Sequence, residues 1–351
     1  MHMADALLAP AVAATMYVAS GVTVGISAHR LRKDENTQKL PTMAVTAALV
    51  FAGQMINYTI PGTGSSGHLC GGMLLSSLLG PQAGFLSMVV ILAIQCLFFA
   101  DGGLMALGAN CWNMAFYGCF VGYYLIWRPI MHSGWFSKMG EAAGARVRIL
   151  VASILGCIVT LQLGAFSVVI ETSLSGITEL PFGAFAALMQ PIHLAIGLVE
   201  GLITAAVLLF IHASRPELLQ EFNAAASGSR RSLKSVVVIL AVVVAIVGGG
   251  LSLLASSNPD GLEWALFGNA EAGYSENMAL DEEEFGVSSS VADAAAAVQD
   301  KTAFLPDYAF ADNDSAAGTT VSGLVGAALV AAVAVGICAL GGFFRKKKSK
   351  A

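Results

Sequence analysis

Charged residues are scarce in this chain of 351 residues: only 12% are Asp, Glu, Lys or Arg, whereas 56% are hydrophobic. This composition excludes an ordinary soluble domain, in which about a quarter of the residues are charged. The apolar runs are long enough to cross a bilayer core of about 30 Å. We therefore predict an all-α integral membrane protein.

Two motifs are also missing. The sequence has no GxxxxGK[ST] phosphate loop and each Lys lies in a predicted loop or tail, so the chain is not expected to hydrolyse ATP or to be an enzyme. It has no CxxC pair, so its cysteines are expected to be small buried hydrophobic residues. These are Cys70, Cys96, Cys111, Cys119, Cys157 and Cys338.

Nine apolar runs are predicted to cross the membrane. They lie near residues 9–28, 41–60, 68–80, 82–99, 103–127, 148–171, 184–212, 236–255 and 322–344. The third run is short enough to turn back within the bilayer. That alternative would place the basic residues between 128 and 148 outside the cell, so we expect a short crossing extended by the preceding loop.

Positive charge predicts the orientation, because Lys and Arg are retained in short cytoplasmic loops. Seventeen of the 18 basic residues follow spans one, five, seven and nine, and only Lys301 falls on the other side. Lys301 lies in the segment 256–320, which holds 13 of the 23 acidic residues. We therefore predict a multi-pass cell-membrane protein with an extracytoplasmic N-terminus and a cytoplasmic C-terminus.

The N-terminus, Met-His-Met, contains a possible metal chelate. The Met1 amine, the Met1-His2 amide nitrogen and the His2 imidazole Nδ1 close a five-membered and a six-membered ring around an ion. Three nitrogens in one plane suit Ni(II) or Cu(II), with Co(II) as a further candidate, better than Zn(II). A cleaved signal peptide is the main alternative for these residues, and the lack of a basic n-region counts against it.

His68 lies in the second outward loop, NYTIPGTGSSGHLCGG, on the same predicted side as His2. It is therefore the candidate fourth ligand. Asn57 and Thr59 flank this loop and are expected to hold the His68 imidazole by hydrogen bonds, and Asp5 is a nearby candidate for the same role. His193, inside span seven, is interpreted as a core histidine rather than a ligand.

Four polar side chains lie inside the predicted spans and are expected to form one internal network: Gln95, Asn110, Asn113 and Glu200. Polar groups in lipid are costly and are often functional. We favour a structural network that locks helices beneath the metal site over a direct ligand role.

Five segments resemble one family in the family's own order: MHMADALL, PGTGSSGHLCGG, LLGPQAGF, FFADGGLMALGANCWNMA and HLAIGLVEGLITAAV. They are similar to the CbiM/NikM family, the cobalt- or nickel-binding (S) components of energy-coupling factor transporters. The resemblance implies seven helices over residues 1–215 and a metal held by Met1, His2 and His68. The family usually opens MHIPDG, so Ala4 and Ala6 replace a Pro and a Gly, and we expect a less constrained turn.

The C-terminal third resembles a PDGLE-type (NikN/CbiN-like) accessory domain through SSNPDGLEWAL and FLPDYAF. The resemblance implies a cytoplasmic linker at 216–235 and an accessory domain at 236–351. That domain would have two further transmembrane helices flanking an acidic extracytoplasmic segment, expected to be part linker and part short helix. The acidic run 281–284 could gather cations, although a solvated surface is the favoured interpretation.

The expected function is uptake of Co(II) or Ni(II) as transported substrate, with no resident cofactor and no nucleic acid partner. The family implies a membrane scaffold (T) subunit and cytoplasmic ATPase (A) subunits as partners. Small residues at Ala44, Ala48 and Ala52 form a stripe that we expect to contact a partner helix, with packing inside the chain as the alternative. A vitamin-binding component of the same transporter type and a membrane metalloenzyme remain alternative functions.

Overall fold

A computed structural model describes residues 1–32, 39–177, 179–222, 232–273, 278, 286–310 and 316–348. Helices dominate these residues. The α-helices are α1 (Pro10–Leu31), α2 (Lys39–Gln54), α3 (Gly72–Leu79), α4 (Pro81–Phe99), α5 (Leu107–Asn110), α6 (Arg128–His132), α7 (Glu141–Leu174), α8 (Phe182–Ser214), α9 (Leu233–Gly249), α10 (Gly261–Phe267), α11 (Ser290–Thr302) and α12 (Ala316–Lys348).

Five helices are long and apolar enough to cross a membrane: α1, α4, α7, α8 and the part of α12 from Ala317 to Gly336. Two shorter apolar helices, α2 and α9, accompany them. Many large apolar side chains on these helices are exposed, among them Val18, Leu198 and Val238. Such side chains are suited to lipid contact, which agrees with a membrane protein.

Helix α3 departs most from the predicted pattern. Its eight residues are all buried, and an α-helix of that length rises about 12 Å, far less than the bilayer core. Gly80 alone separates it from α4, which packs back against it. The short third span therefore lies inside the bundle, and the count of seven crossing helices stays a prediction.

The fifth predicted span is one continuous helical segment whose central part is a π-helix. Helix α5 leads into a π-helix, Cys111–Trp127, which continues into α6. Its buried face contacts α3, α4 and α7, so this segment lies at the centre of the bundle. π-Helical turns are rare and are frequent at functional sites. Asn113 lies in this helix and Asn110 comes just before it.

The small-residue stripe of α2 packs within the chain. Ala48 and Ala52 are buried, and α2 packs against α12 and α9. A Cβ on Gly248 of α9 would lie 3.4 Å from the Cβ of Ala52 and 3.1 Å from the backbone oxygen of Gly323 in α12. The expectation that this stripe contacts a partner helix is therefore wrong, because α9 and α12 cover it.

Two β-strands form a hairpin at the end of the bundle where the N-terminus lies. Tyr58–Ile60 pairs antiparallel with Ser65–Gly67, and His68 follows the second strand at once. Helices α10 and α11 pack on this same end, against α8, the hairpin and α4. The described part of the segment 256–320 thus covers the hairpin and the N-terminus. The acidic run 281–284 lies outside the described residues.

Candidate metal centre

The N-terminus is threaded into the bundle. Met1 is 6% exposed and Met3 is fully buried. Asn110 holds Met3 from both sides, because its Oδ1 accepts from the Met3 backbone N–H at 2.8 Å and its Nδ2 donates to the Met3 carbonyl at 3.2 Å. The Met3 carbonyl also accepts from the Gly103 N–H at 2.9 Å. These contacts fix the backbone directly after His2.

The loop after α4 passes very close to the N-terminus. A Cβ on Gly103 would lie 1.8 Å from Oδ1 of Asp5, and one on Gly102 would lie 3.3 Å from the Cβ of His2. Gly102 also has φ +79°, which favours glycine. The two glycines of the FFADGG segment are therefore required for the N-terminus to dock.

The turn that contains the two alanine replacements is held in place. Asp5–Leu7 form one 3-10 turn. Oδ1 of Asp5 accepts from the Ala106 N–H at 2.9 Å, and the Ala6 carbonyl accepts from the Val287 N–H at 2.8 Å. The expected loosening is therefore compensated by contacts from the turn before α5 and from the C-terminal segment.

His2 and His68 meet as stacked rings. Their centroids are 5.3 Å apart and the ring planes differ by 16°. The Met1 amine lies beside them, because it and Nε2 of His68 contact the same oxygen, Oδ2 of Asp260, at 2.8 Å and 3.7 Å. Two of the three residues predicted as metal ligands thus share one carboxylate, and the third, His2, stacks on His68.

Asp101 holds the imidazole of His2. Its Oδ1 lies 3.0 Å from Nδ1 of His2, and its Oδ2 accepts from the Tyr308 hydroxyl at 2.5 Å. Burial lowers the pKa of His2 to about 4, against the opposing effect of Asp101, so the imidazole is neutral at physiological pH. A neutral ring that pairs with a carboxylate through Nδ1 carries its proton there. Nε2 of His2 is buried and has no hydrogen-bond partner among the described residues.

Asp260 neutralises the charge of the Met1 amine. Burial alone would raise the pKa of Asp260, but the adjacent Met1 ammonium and the His68 imidazole hold it well below its usual range. Asp260 is therefore a carboxylate at neutral pH. A buried charge is costly unless it is paired, so this ion pair permits the amine to lie inside the protein.

A cavity of about 580 Å³ leads to these groups. Its lining includes His2 and His68, and five acidic residues: Asp5, Asp101, Asp260, Glu263 and Asp307. None of the described residues that line it is Lys or Arg. A cleft lined by charge of one sign concentrates ions of the opposite sign. The cavity is therefore suited to cations.

The bonds of the two residues predicted to hold the His68 imidazole go to Ser256 instead. The Thr59 hydroxyl bonds that of Ser256 at 2.9 Å, and the Asn57 carbonyl accepts from the Ser256 N–H at 2.7 Å. Nδ1 of His68 instead lies 3.2 Å from the Leu69 carbonyl. Asn57 and Thr59 thus attach the C-terminal segment to the hairpin.

The four internal polar residues fall into two groups. Gln95 donates to Gln54, which donates to the Cys70 carbonyl, and Glu200 accepts from the N–H of Cys70 at 2.8 Å and from that of Gly71 at 2.9 Å. This group holds the segment just after His68.

Asn110 and Asn113 form the other group, at the N-terminus. Asn110 holds Met3, while Asn113 donates to Glu171 at 2.8 Å and contacts the Met3 sulfur. His193 bonds the Met189 carbonyl through Nδ1 at 2.8 Å, as expected of a core histidine.

The described residues contain no cluster of three or more His, Cys, Asp and Glu side chains arranged to hold a metal ion. The donor set predicted around His2 and His68 differs from such a cluster, because it would include main-chain nitrogens. Five cysteines are buried and unpaired, whereas the side chain of Cys338 lies outside the described part.

Two family models match the chain. One, described as the cobalt uptake substrate-specific transmembrane region, covers residues 2–218, and the other, the PDGLE domain, covers residues 234–341. The chain belongs to the cobalt-uptake transmembrane family. It carries a PDGLE domain fused behind the family's transmembrane region, and the resemblance found in the sequence is confirmed.

Relatives agree with this fused arrangement. The chain is 36% identical over 336 residues to the "Putative fused nickel transport protein NikMN" of Archaeoglobus fulgidus, which covers 95% of this chain and 96% of that protein. It is 30% identical to the cobalt transport protein CbiM of Sorangium cellulosum, over 62% of this chain and 94% of that one. The crystal structure of a truncated transition metal transporter is 31% identical, with a TM-score of 0.51 over 61% of this chain and 99% of that chain.

Two acidic residues of the site escaped prediction. Asp101 lies in the FFADGG segment and Asp260 in the SSNPDGLEWAL segment, both of which were recognised as motifs. Each is an acidic residue followed by glycine on the predicted outer side. This shared feature is the sequence signal that could have identified both as site residues. Their contacts with His2 and Met1 join residues 99 and 259 positions apart, and sequence spacing alone does not predict such pairs.

Glu200 supports the position of His68, and this role is testable. Glu200→Gln leaves one backbone N–H, of Cys70 or Gly71, facing an amide NH₂ in place of an oxygen. An unsatisfied buried donor costs about 1–3 kcal/mol, so we expect a lower thermal unfolding midpoint in detergent and weaker metal binding. Glu141→Gln, at an exposed position on α7, is the control. Equal midpoints in the two variants would contradict this role.

Proposed function

We propose that this chain captures Ni(II) or Co(II) outside the cell as the substrate-binding subunit of an energy-coupling factor transporter. One observation carries the proposal: the Met1 amine, His2 and His68 meet beside an acidic cavity. Late first-row divalent ions bind well to such nitrogen donors. The ion is the transported substrate.

The proposed donor set is the Met1 amine, the Met1-His2 amide nitrogen, Nδ1 of His2 and one imidazole nitrogen of His68. Coordination requires that protons leave the amine, the amide and Nδ1 of His2. Asp260 and Asp101 already contact the first and third of these groups. Metal binding is thus expected to release protons and to weaken as the pH falls.

We infer the membrane orientation of the chain and the energy source for ion release from the sequence. The basic loops predict that the N-terminus and the cavity face the outside and that the C-terminus faces the cytoplasm. The chain has no phosphate loop, so release of a tightly held ion requires partner subunits that distort the ligands. We propose a membrane scaffold subunit and cytoplasmic ATPases in that role.

The ligand assignment predicts a sharp loss of binding. His2→Ala and His68→Ala should each weaken Ni(II) binding at least 100-fold, because each removes a nitrogen donor, about 3 kcal/mol by the usual conversion. His29→Ala, exposed near the other end of α1, is the matched control. Titration calorimetry of purified protein measures all three. Near-stoichiometric, tight binding by either site variant would exclude that histidine as a ligand.

Uptake should depend on separate ATPases. In a host without its own cobalt and nickel transporters, we expect radioactive metal to accumulate with the complete set of subunits and much less when the ATPases are omitted. An ATPase variant unable to hydrolyse ATP serves as the control for assembly. Equal accumulation by this chain alone would instead support a channel or a secondary transporter.

A further inference from the structure

Asp260 uses its two oxygens for different purposes. Oδ1 accepts from the N–H groups of Leu262 at 2.7 Å and Glu263 at 3.0 Å, which caps α10. Oδ2 faces away from the helix and contacts the Met1 amine and Nε2 of His68. The cap fixes the carboxylate, so that Oδ2 is held against two of the proposed metal ligands.

The segment before Asp260 is attached to the hairpin that positions His68. Ser66 donates its N–H to the Pro259 carbonyl at 2.8 Å and its hydroxyl to the Asn258 carbonyl at 2.8 Å. Ser66 lies two residues before His68. The strand that leads to one proposed ligand therefore also holds the acidic residue of the PDGLE domain.

Gly261 permits this close docking. A Cβ at this position would lie 3.0 Å from Cδ1 of Ile196 and 3.2 Å from Cε1 of His193, both on α8. Such contacts are tighter than those of ordinary side chains, and a larger residue would push the segment outward. Asp260 thus reaches the site because the next residue has no side chain.

The charge next to Oδ2 is compatible with a metal ion. In the structure this oxygen lies 2.8 Å from a singly charged ammonium. An ion bound to the amine nitrogen takes the place of its proton and brings two positive charges to the same side of Oδ2. The carboxylate need not move to interact with it, and its cap opposes withdrawal. Carboxylate oxygen is an acceptable donor for divalent first-row ions.

We propose that Oδ2 of Asp260 is an oxygen ligand of the transported ion, so that the metal is held by both domains of the fused chain. This inference rests on the proposed function and extends its donor set. It assigns to the PDGLE domain a direct part in the metal site. The alternative is that the Asp260 carboxylate occupies the position of the ion and has to move away before the ion binds. Replacement of Asp260 would then tighten metal binding.

Three variants separate these roles. Asp260→Asn keeps an oxygen for the α10 cap and removes the charged Oδ2. Asp260→Ser keeps a capping oxygen and removes the second oxygen altogether, so it serves if the Asn variant fails to fold. Glu271→Gln is the matched control: it makes the same carboxylate-to-amide change at an exposed position just after α10, outside the cavity lining.

The measurements are the Ni(II) affinity of the full-length chain and the visible ligand-field bands of the bound Ni(II). We expect both Asp260 variants to bind at least ten-fold more weakly and to shift these bands, because an oxygen donor is lost. Glu271→Gln should stay within about three-fold of the wild type, because an exposed charge away from the cavity has little effect, and its bands should be unchanged.

Other outcomes overturn the inference. Unchanged or tighter binding by the Asp260 variants would exclude a ligand role, and weaker binding with unchanged bands would reduce Asp260 to a residue that positions the amine. His68→Ala is measured alongside. Full Ni(II) binding by His68→Ala would reject the proposed function itself. If His68→Ala loses Ni(II) binding while the Asp260 variants bind as tightly as the wild type, only the ligand role of Asp260 is rejected.

Discussion

The rest of this structure depends on the ion pair between a buried amine, that of Met1, and the Asp260 carboxylate. Taking an unpaired charge out of water costs several kcal/mol, and a paired one much less. The Met1 amine is paired with Asp260, and the backbone around His2 is held by Asn110 and Gly103. Because Asp260 belongs to the PDGLE domain, the N-terminus links the two matched regions of the chain.

Further contacts join the two matched regions around the proposed metal site. Besides Asp260, the C-terminal segment supplies Tyr308, which bonds Asp101, and Gln299, which donates to the Gly102 carbonyl at 2.7 Å. Asp101 and Gly102 in turn contact His2. Any movement of this segment therefore changes the surroundings of the proposed ligands. Such a connection offers a physical route by which the fused domain affects the capture or release of an ion.

Features that depend on local sequence were predictable, and those that depend on distant contacts were not. Apolar runs predicted the five helices that are long enough to cross a membrane, because helix formation in lipid depends on the segment itself. The pattern of basic loops predicted that His2 and His68 share a side, and the two rings do lie together. The pairs of Asp101 and Asp260 depend on packing between remote segments. For the same reason the partner expected for the α2 stripe was wrong, since α9 and α12 of the same chain cover it.

We propose that the free amine of Met1 is itself a metal ligand. One residue added before Met1 moves the amine away and breaks the five-membered chelate ring, while every side chain of the site stays present. The direct test is the Ni(II) content, after dialysis, of two C-terminally tagged proteins that differ only by this residue. We expect about one ion per chain for the native N-terminus and almost none for the extended protein. Equal metal content in the two proteins would contradict a ligand role of the Met1 amine.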